Sequence, residues 1–404
     1  MWSLDSPGMS THSIDEQFLQ RALELARVGI GLASPNPYVG AVIVDSQGNI
    51  VGGGTYTYDG VKHAEVLALE AAGSKARGGT LYINLEPHAH QGRTPPCTDA
   101  LIAAGIHRVV ASMPDPNPKV SGLGLEKLRA AGVHVEVGLL EEQARRLNES
   151  FARYIRHGVP LVTLKSAMTL DGKIASPPAE ARNHPAETSA QTEYSGHWIT
   201  GEAARAHVQE LRHQHDAILV GIGTVLADNP LLTDRSGHLR RRPLLRVVLD
   251  SRLRVPLESR LIRSVKSATV GPGESDVLVF TFSADDKKKA ELESRGVRVE
   301  KLPAVLPDGR PDLATVLRRL GELEITSLMI EGGSTLNDAA LAAGIVDKVF
   351  LYYAPKIFGT GAVPFAAGAG FAPRSEGAHV EHVHLHRFGE DFAVEGYLRD
   401  PYGE

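Results

Sequence analysis

The chain has a single cysteine among its 404 residues and no long apolar run. One cysteine cannot form a disulfide within the chain, and the opening MWSLDSPGMSTHSIDEQ lacks the basic start and apolar stretch of an export signal. No stretch approaches the ~20 apolar residues that a membrane helix needs. The sequence therefore predicts a cytoplasmic protein that does not enter a membrane.

Clusters of one charge and of aromatic residues are also missing. The 43 basic and 48 acidic residues give a net charge of -5, and aromatic residues make up 5% of the chain. A nucleic-acid surface would need an excess of basic side chains, with aromatic rings on which bases stack. The composition therefore favours a small molecule over a nucleic acid as the partner. Neither a G-x-G-x-x-G fingerprint nor a P-loop is present, which excludes two familiar phosphate-binding signatures.

The length predicts two domains, because one hydrophobic core rarely serves 404 residues. Residues 1–13 are expected to form a disordered tail. Over residues 14–158, helical periodicity alternates with β-rich runs, beginning with a helix over 14–28 and a hairpin. A long polar helix then ends at Gly158, and Pro160 follows it, which predicts a domain boundary there.

The second domain, residues 160–404, repeats this alternation. Strands are predicted in PLVTLKSAMTLDGKIA, AILVGIGTVLA, LLRVVLD, DVLVFTFS, VRVEKLP, SLMIEGG and VDKVFLYYAPKIFG, with helices at 201–213 and 312–320. Residues 176–194 are rich in Pro, Ala, Ser and Glu and are expected to form a mobile loop. Both domains are thus predicted to be α/β, with helices packed on sheets.

The one cysteine lies in an unusual neighbourhood. Cys97 follows the polar segment LEPHAHQGRTPP, close to His88 and His90, and begins a predicted helix. Upstream, His63 and Glu65 form an H-x-E at the start of another helix. If these helix starts meet at the ends of adjacent strands, His63, His88 and Cys97 form the three-ligand set of a catalytic zinc. A buried thiol without chemistry, and a carboxylate that only stabilises its helix, are the alternatives for Cys97 and Glu65.

This pattern resembles the zinc-dependent deaminase superfamily, in which H-x-E precedes P-C-x-x-C and the glutamate moves protons. The segments SPNPYVGAVIVD and HQGRTPPC are specifically similar to the deaminase domain of the bifunctional riboflavin-biosynthesis deaminase-reductases. The resemblance implies a cytidine-deaminase-like domain on a mixed sheet, with Glu65 as the catalytic group and Asn36 and His90 as substrate contacts. The family has cysteine where this chain has His88. Since imidazole is a competent zinc ligand, we expect His88 to coordinate through Nδ1, with His90 as ligand or an empty site as alternatives.

Two stretches of the second domain, LVGIGTVLADNPLLTDR and LMIEGGSTLNDAAL, suit ordinary turns when taken singly, and the latter also suits a phosphate cradle. Together with KSAMTLDGKIA, HWIT and YYAPKIFG, they resemble the reductase domain of the same family, which has a dihydrofolate-reductase-like α/β fold and uses NADPH. By that resemblance the cofactor contacts Ala167, Trp198, Thr224, Asp228, Ser251, Gly333, Ser334, Thr335, Leu336 and Asn337. The substrate contacts Gly196, Arg212, Leu232, Arg235 and Glu331.

Arginines give this assignment a physical basis. Arg212 and Arg235 suit a ribose phosphate because guanidinium groups match phosphate oxygens in paired hydrogen bonds; solvated surface charge is the alternative. Arg252, just after a strand that ends at Asp250, is expected to select the 2′-phosphate of NADPH over NADH. Gly196 stands where the family commonly has serine, so a side-chain hydrogen bond is lost there.

The sequence therefore predicts a two-step enzyme that uses Zn2+ and NADPH. The first step is hydrolytic deamination of a phosphoribosylamino-pyrimidine, and the second is hydride transfer to C1′ of its ribose. The resemblance also implies a homodimer formed through the reductase domain. Two other hypotheses are a reductase whose deaminase domain is degenerate because of His88, and a nucleic-acid-editing deaminase, which the acidic balance opposes.

Overall fold

The structure is a computed structural model that describes residues 11–92, 95–176, 198–265, 275–302, 311–368 and 377–403. The chain divides into two compact units. The first comprises residues 1–157 with residues 239–241, and the second comprises residues 158–403 without those three. Among the described residues, no helix combines the length and the apolar composition needed to cross a membrane.

The first unit is built on a mixed sheet. Its strands are β1 (Gly40–Val44), β2 (Ile50–Thr55), β3 (Thr80–Ile83), β4 (Arg108–Ala111) and β5 (His134–Val137). They lie in the order β2-β1-β3-β4-β5, with β1 antiparallel to both neighbours and β3, β4 and β5 parallel to one another. The helices are α1 (Thr11–Val28), α2 (Ala64–Ala72), α3 (Cys97–Ala104), α4 (Leu123–Ala130) and α5 (Glu141–His157), and a short 3-10 helix covers Gly73–Ala76.

Helix α2 packs directly on strand β2. A Cβ atom at Gly52 or Gly54 would overlap the carbonyl oxygen of Ala68 or Ala64, respectively. Glycine is the residue that permits so close an approach of helix and strand backbones. The small-residue face of α2 therefore fixes the first turn of this helix against the sheet.

The second unit is built on a larger mixed sheet. Its strands are β6 (Leu161–Thr169), β8 (Ala217–Gly221), β9 (Leu245–Leu249), β10 (Val277–Thr281), β11 (Arg298–Lys301), β12 (Ser327–Ile330), β13 (Lys348–Ala354), β15 (Glu381–Phe388) and β16 (Asp391–Tyr397), and β7 (Lys173–Ala175) pairs with β14 (Val363–Pro364) separately. The order is β11-β10-β9-β8-β12-β6-β13-β16-β15. Parallel pairing joins all neighbouring strands from β11 at one edge, through β10, β9, β8, β12 and β6, to β13. Strands β16 and β15 then add an antiparallel edge.

Helices cover both faces of this sheet, as the two hydrophobic clusters indicate. The helices are α6 (Glu202–Gln214), α7 (Ile222–Asp228), α8 (Arg260–Arg263), α9 (Asp286–Glu293), α10 (Leu313–Glu322) and α11 (Ser334–Ala342). Along β8, Ile218 and Val220 belong to one cluster, whereas Ala217 and Leu219 belong to the other. This alternation within an entirely apolar strand explains why its sequence reads as one continuous hydrophobic run.

The predicted α/β class is confirmed in both units, but some element assignments are wrong. The sequence predicts one strand over AILVGIGTVLA, whereas the strand ends at Gly221 and α7 begins at Ile222. An apolar run alone does not separate a buried strand from a buried helix. Helix α1 begins at Thr11, so the last residues of the predicted tail are helical. Residues 1–10 of that tail and residues 177–194 of the predicted loop lie outside the described residues.

The hairpin of β15 and β16 has no counterpart among the sequence predictions. Strand β15, with the sequence EHVHLHRF, lies at the edge of the sheet and has exposed and half-buried residues along its length. Polar histidines occupy positions where a buried strand would have apolar residues. The period-two pattern that identifies a half-buried strand is therefore too weak to find this one.

A buried ion pair joins β9 to the start of β10. The Arg246 Nη2 atom lies 2.7 Å from Asp276 Oδ2, and the side chains are 1% and 5% exposed. Replacing Asp276 by alanine would leave a buried guanidinium without its counter-charge, so we expect the free energy of unfolding to fall by about 3–5 kcal/mol. Urea unfolding followed by circular dichroism measures this change.

The exposed pair of Arg295 and Glu258 offers a matched control for that experiment. Its atoms lie 3.0 Å apart, but the side chains are 39% and 73% exposed. Glu258→Ala should therefore cost under about 1 kcal/mol. Equal losses in the Asp276 and Glu258 variants would show that burial does not decide the strength of these pairs.

Candidate metal centre and reductase site

Two helix starts and one strand end bring four donor side chains together in the first unit. His63 is the N-cap of α2, Glu65 lies in its first turn, and Cys97 is the first residue of α3. His88 follows β3, between these helices in sequence. One ligand atom from each of the four lies within 4.8 Å of the others, and the rings of His63 and His88 are 4.3 Å apart. No other such group of three or more donors occurs in the described part of the chain.

Burial determines the charge of these groups. Glu65 is buried and Cys97 is fully buried. Burial raises the pKa of the Glu65 carboxyl, and burial together with the nearby carboxylate raises the pKa of the Cys97 thiol. Burial also lowers the pKa of His63. Each of these three shifts disfavours the ionised form, so the protein alone favours the neutral forms of His63, Glu65 and Cys97.

This donor set fits a zinc ion. The Oε2 atom of Glu65 is buried and has no hydrogen-bond partner among the described residues. An uncompensated buried oxygen beside a thiol and two imidazoles indicates a missing positive charge. Zinc prefers cysteine sulfur and histidine nitrogen, and a bound cation deprotonates the thiol that burial otherwise keeps neutral. His63, His88 and Cys97 supply three such donors, and Glu65 lies next to them.

The expected substrate contacts of this domain lie beside the donors. Asn36 Nδ2 donates to the Tyr56 hydroxyl at 2.5 Å, and the Tyr56 ring lies 5.3 Å from the ring of His63. The His90 ring lies 5.4 Å from the ring of His88. His90 is therefore a direct ring neighbour of the donor cluster, and Asn36 is linked to the cluster through Tyr56, an aromatic neighbour that sequence reasoning missed.

A small cavity of about 80 Å³ opens next to the donors. Its lining includes Glu86, His88, His90, Asp115, Val120 and Leu123. Glu86 accepts hydrogen bonds from the backbone N–H groups of Asp115, Gly122 and Gly124 at 2.9, 2.8 and 2.7 Å, which closes the loop before α4 around it.

Asp115 is a second residue that sequence reasoning missed. Burial, followed by the neighbouring Glu86 carboxylate, raises its pKa to about 6. The available signal was the DPNP turn close after β4, because the carboxyl ends of the parallel strands β3 and β4 lie at one edge of the sheet. Perturbed carboxyls of this kind gather at functional sites.

In the second unit, Glu331 is the centre of a buried charge cluster. The Arg212 Nε and Nη2 atoms donate to its Oε1 and Oε2 at 2.9 and 3.0 Å, and Lys165 Nζ lies 3.7 Å from Oε2. Burial alone would raise the pKa of Glu331, but Arg212 and then Lys165 outweigh it and hold the pKa at about 2. Burial lowers the pKa of Lys165, a residue that sequence reasoning did not single out.

The structure gives Arg212 partners that its predicted role as a phosphate clamp did not include. Besides its paired contact with Glu331, its Nη1 donates to the carbonyl oxygen of Thr233 at 3.0 Å. Two other expected substrate contacts lie on the loop that contains Thr233. Leu232 has a buried side chain in the core and a φ of 57°, and Arg235 is exposed. Arg212, Glu331 and this loop are thus brought together, whereas Gly196 lies outside the described residues.

The expected cofactor residues meet at the start of α11. Gly333 is the N-cap of this helix, and a Cβ atom there would lie 3.7 Å from Thr224 Oγ1 on α7. The buried Ser334 Oγ and Asn337 Oδ1 atoms have no hydrogen-bond partner among the described residues, while Asn337 Nδ2 donates to Phe365 O at 2.8 Å. The helix start and the unused Ser334 hydroxyl, which can donate a hydrogen bond, fit the phosphates of a dinucleotide such as NADPH, whereas the Asn337 oxygen can only accept and suits a donor group of the cofactor.

The remaining residues that were expected to contact the cofactor lie on several different elements. Ala167 on β6 lies opposite Tyr352 on β13, and Ser251 follows β9. Trp198 is exposed, with the Arg205 guanidinium 5.3 Å from its ring. Other candidates are described by burial alone: Asp228, Thr335 and Arg252 are exposed, and Leu336 is buried. The assignments of these residues, including that of Arg252 to the 2′-phosphate, stay predictions.

Comparisons with known proteins agree with both halves of this description. The cytidine and deoxycytidylate deaminase zinc-binding region matches residues 12–113, and the RibD C-terminal domain matches residues 160–394. Riboflavin biosynthesis protein RibD of Actinobacillus pleuropneumoniae is 44% identical over 345 residues, which are 85% of this chain and 85% of that protein.

Two solved structures are similar over nearly the whole chain. RibD of Acinetobacter baumannii has a TM-score of 0.78 at 34% identity, covering 96% of this chain and 99% of that one. A diaminohydroxyphosphoribosylaminopyrimidine deaminase/5-amino-6-(5-phosphoribosylamino)uracil reductase of Thermotoga maritima has a TM-score of 0.74 at 36% identity, with the same coverage. The chain therefore belongs to the RibD family of riboflavin biosynthesis proteins, which carries a zinc-binding deaminase domain and an NADPH-dependent reductase domain.

Proposed function

We propose that this chain hydrolytically deaminates 2,5-diamino-6-ribosylamino-4(3H)-pyrimidinone 5′-phosphate and then reduces the ribosyl group to ribityl with NADPH. The convergence of His63, Glu65, His88 and Cys97 is the observation that carries the proposal. The name of the Thermotoga maritima relative supports both steps. The proposal assigns deamination to residues 14–158 and reduction to residues 160–404. We further propose a homodimer formed through the reductase domain, which the family resemblance implies, and a cytoplasmic location, which the sequence predicts.

For the first step, His63, His88 and Cys97 would hold the zinc ion. When bound there, zinc acts as a Lewis acid that lowers the pKa of water to near neutrality. Glu65, buried beside the three ligands, would accept a proton from the attacking water and return it to the departing amino group. Asn36 and His90 would hold the pyrimidine against this pair.

For the second step, the start of α11 would hold the cofactor phosphates through the residues from Gly333 to Asn337. NADPH supplies the hydride. Arg235 would bind the ribose phosphate through its exposed guanidinium, and Glu331 would contact the substrate from a position fixed by Arg212. A buried, permanently ionised carboxylate suits this role because its orientation does not depend on solvent.

One assay tests the two-step proposal. Purified protein is incubated with the pyrimidine substrate and NADPH, and ammonia and NADP+ are measured in the same samples. We expect equal amounts of both products, with ammonia appearing first. NADPH oxidation without ammonia would mean that reduction does not require prior deamination and would contradict the proposed order.

The histidine ligand makes a separate prediction about metal affinity. With His63, His88 and Cys97 as ligands, one thiolate leaves the zinc site with a net charge of +1, whereas a second thiolate would make it neutral. Because thiolates are soft donors that zinc prefers, His88→Cys should retain zinc at higher chelator concentrations than the native protein. Chelator competition with a zinc-sensitive dye measures this without any assay of activity.

His90→Cys is the matched control, because His90 is exposed and lies outside the four-donor group. We expect its zinc retention to equal that of the native protein. If His90→Cys gains affinity and His88→Cys does not, His90 is the ligand instead. Coordination of His88 through Nδ1 stays a prediction that a structure with zinc bound would test.

A further inference from the structure

Side chains of helix α6 contact the loop that contains Arg235. This loop, residues 231–238, follows α7 and includes Leu232, a second expected substrate contact. Side chains near the C-terminal end of α6 contact it at successive points. Gln209 Oε1 accepts a hydrogen bond from the backbone N–H of Arg235 at 3.1 Å, and Arg212 donates to Thr233 O at 3.0 Å.

The same helix makes two histidine contacts with the loop, and these differ in burial. His213 Nδ1 lies 3.2 Å from Asp234 Oδ2, with both side chains under 9% exposed. Glu210 Oε2 lies 3.1 Å from His238 Nε2, with side chains that are 45% and 56% exposed. A hydrogen bond that is shielded from water fixes geometry more firmly than an exposed pair does. The contact between His213 and Asp234 is therefore the stronger constraint on the loop.

The Asp234 side chain links His213 to the backbone on the far side of Arg235. Its Oδ2 atom contacts His213, while its Oδ1 atom accepts a hydrogen bond from the backbone N–H of Ser236 at 2.9 Å. Arg235 lies between these two anchored residues, and its own backbone N–H is held by Gln209. The backbone of Arg235 is thus fixed at three successive residues, whereas its side chain is exposed.

We propose that His213 and Asp234 are positioning residues of the reductase, which set where the Arg235 guanidinium meets the phosphate of the substrate. The inference rests on the proposed role of Arg235. Arg212 ties the same loop to Glu331, so α6 fixes the phosphate anchor and the buried carboxylate relative to each other. A substrate bound between two such fixed points loses less freedom on binding, and small displacements of either point weaken binding steeply.

The test uses the deaminated substrate and compares KM with kcat. His213→Ala removes a hydrogen bond to a carboxylate and should raise KM about tenfold with little change in kcat. A double-mutant cycle with Arg235→Ala then asks whether the effect passes through the arginine. In the Arg235→Ala background, His213→Ala should leave KM unchanged, because the contact that it positions is already gone.

Three further variants keep the result independent of folding defects. His213→Asn places an amide nitrogen near the position of Nδ1 and should restore KM, whereas His213→Gln should not. His215→Ala is the matched control: this buried histidine of the same region pairs with Leu211 O at 2.6 Å and Thr163 Oγ1 at 3.0 Å instead. We expect the KM of His215→Ala to equal that of the native protein.

The outcomes separate this inference from the function on which it rests. A tenfold rise in KM from His213→Ala in both backgrounds would overturn the positioning role alone, because the effect would not pass through Arg235. An unchanged KM in Arg235→Ala would overturn the phosphate-binding role and the inference with it. A rise in His215→Ala equal to that in His213→Ala would also overturn the inference, since general destabilisation would then explain both.

Discussion

Glu65→Gln is expected to lower the rate of ammonia release by a factor of ~10²–10⁴, the usual cost of removing a general acid or base. The amide keeps the size of the side chain but neither accepts nor returns a proton. NADPH oxidation with substrate that is already deaminated should be unchanged, because Glu331 and the start of α11 belong to the other unit. Ammonia and NADPH are measured in separate assays on the same protein.

Glu126→Gln is the matched control for this variant. Glu126 lies in the first turn of α4, as Glu65 lies in the first turn of α2, but Glu126 is exposed. A carboxylate that only stabilises its helix would contribute about 0.3–1 kcal/mol at either position. If the two variants lose ammonia release equally, Glu65 has no special role in proton transfer.

Arg235→Ala is expected to have the converse effect. Loss of paired, charge-assisted hydrogen bonds to a phosphate should raise the KM for the deaminated substrate by about ten- to a hundredfold, while ammonia release stays unchanged. A substrate analogue without the phosphate should bind native and variant protein equally weakly. Arg318→Ala, at a side chain of α10 that is 67% exposed, serves as the control and should keep the native KM.

Glu65→Gln and Arg235→Ala together also test whether the deaminase and reductase sites act independently. Glu65 and Arg235 lie in separate compact units, each with its own hydrophobic cluster. Each substitution should therefore affect one activity. Loss of both activities in both variants would contradict independent sites.

Local signals predicted much of the metal centre. His63, Glu65 and Cys97 lie at the starts of α2 and α3. Apolar periodicity and the proline before Cys97 mark these helices in the sequence, so both helices could be predicted. Asp115 had a local signal in the DPNP turn after β4, but Tyr56 had none, because its contact with the His63 ring forms only when β2 and α2 pack together. No spacing rule in one sequence records such contacts.

The reductase site shows the same limit more strongly. The residue types of Arg212 and Glu331 suggest binding of a ligand, but the structure pairs them with each other and with Lys165. A sequence does not reveal which acceptor an arginine meets, since β6, β12 and α6 come together only in the folded sheet. The contact of His213 with Asp234 has no sequence signature for the same reason.

Zinc content, measured together with ammonia release, tests whether His63, His88 and Cys97 form the metal centre of a deaminase. We expect one zinc ion per chain in the purified native protein, and ammonia release that falls in proportion as zinc is removed. Native protein that binds no zinc and releases no ammonia, while His88→Cys gains both, would contradict this expectation. In that case His88 would mark a lost deaminase, and only the reductase domain would be an enzyme.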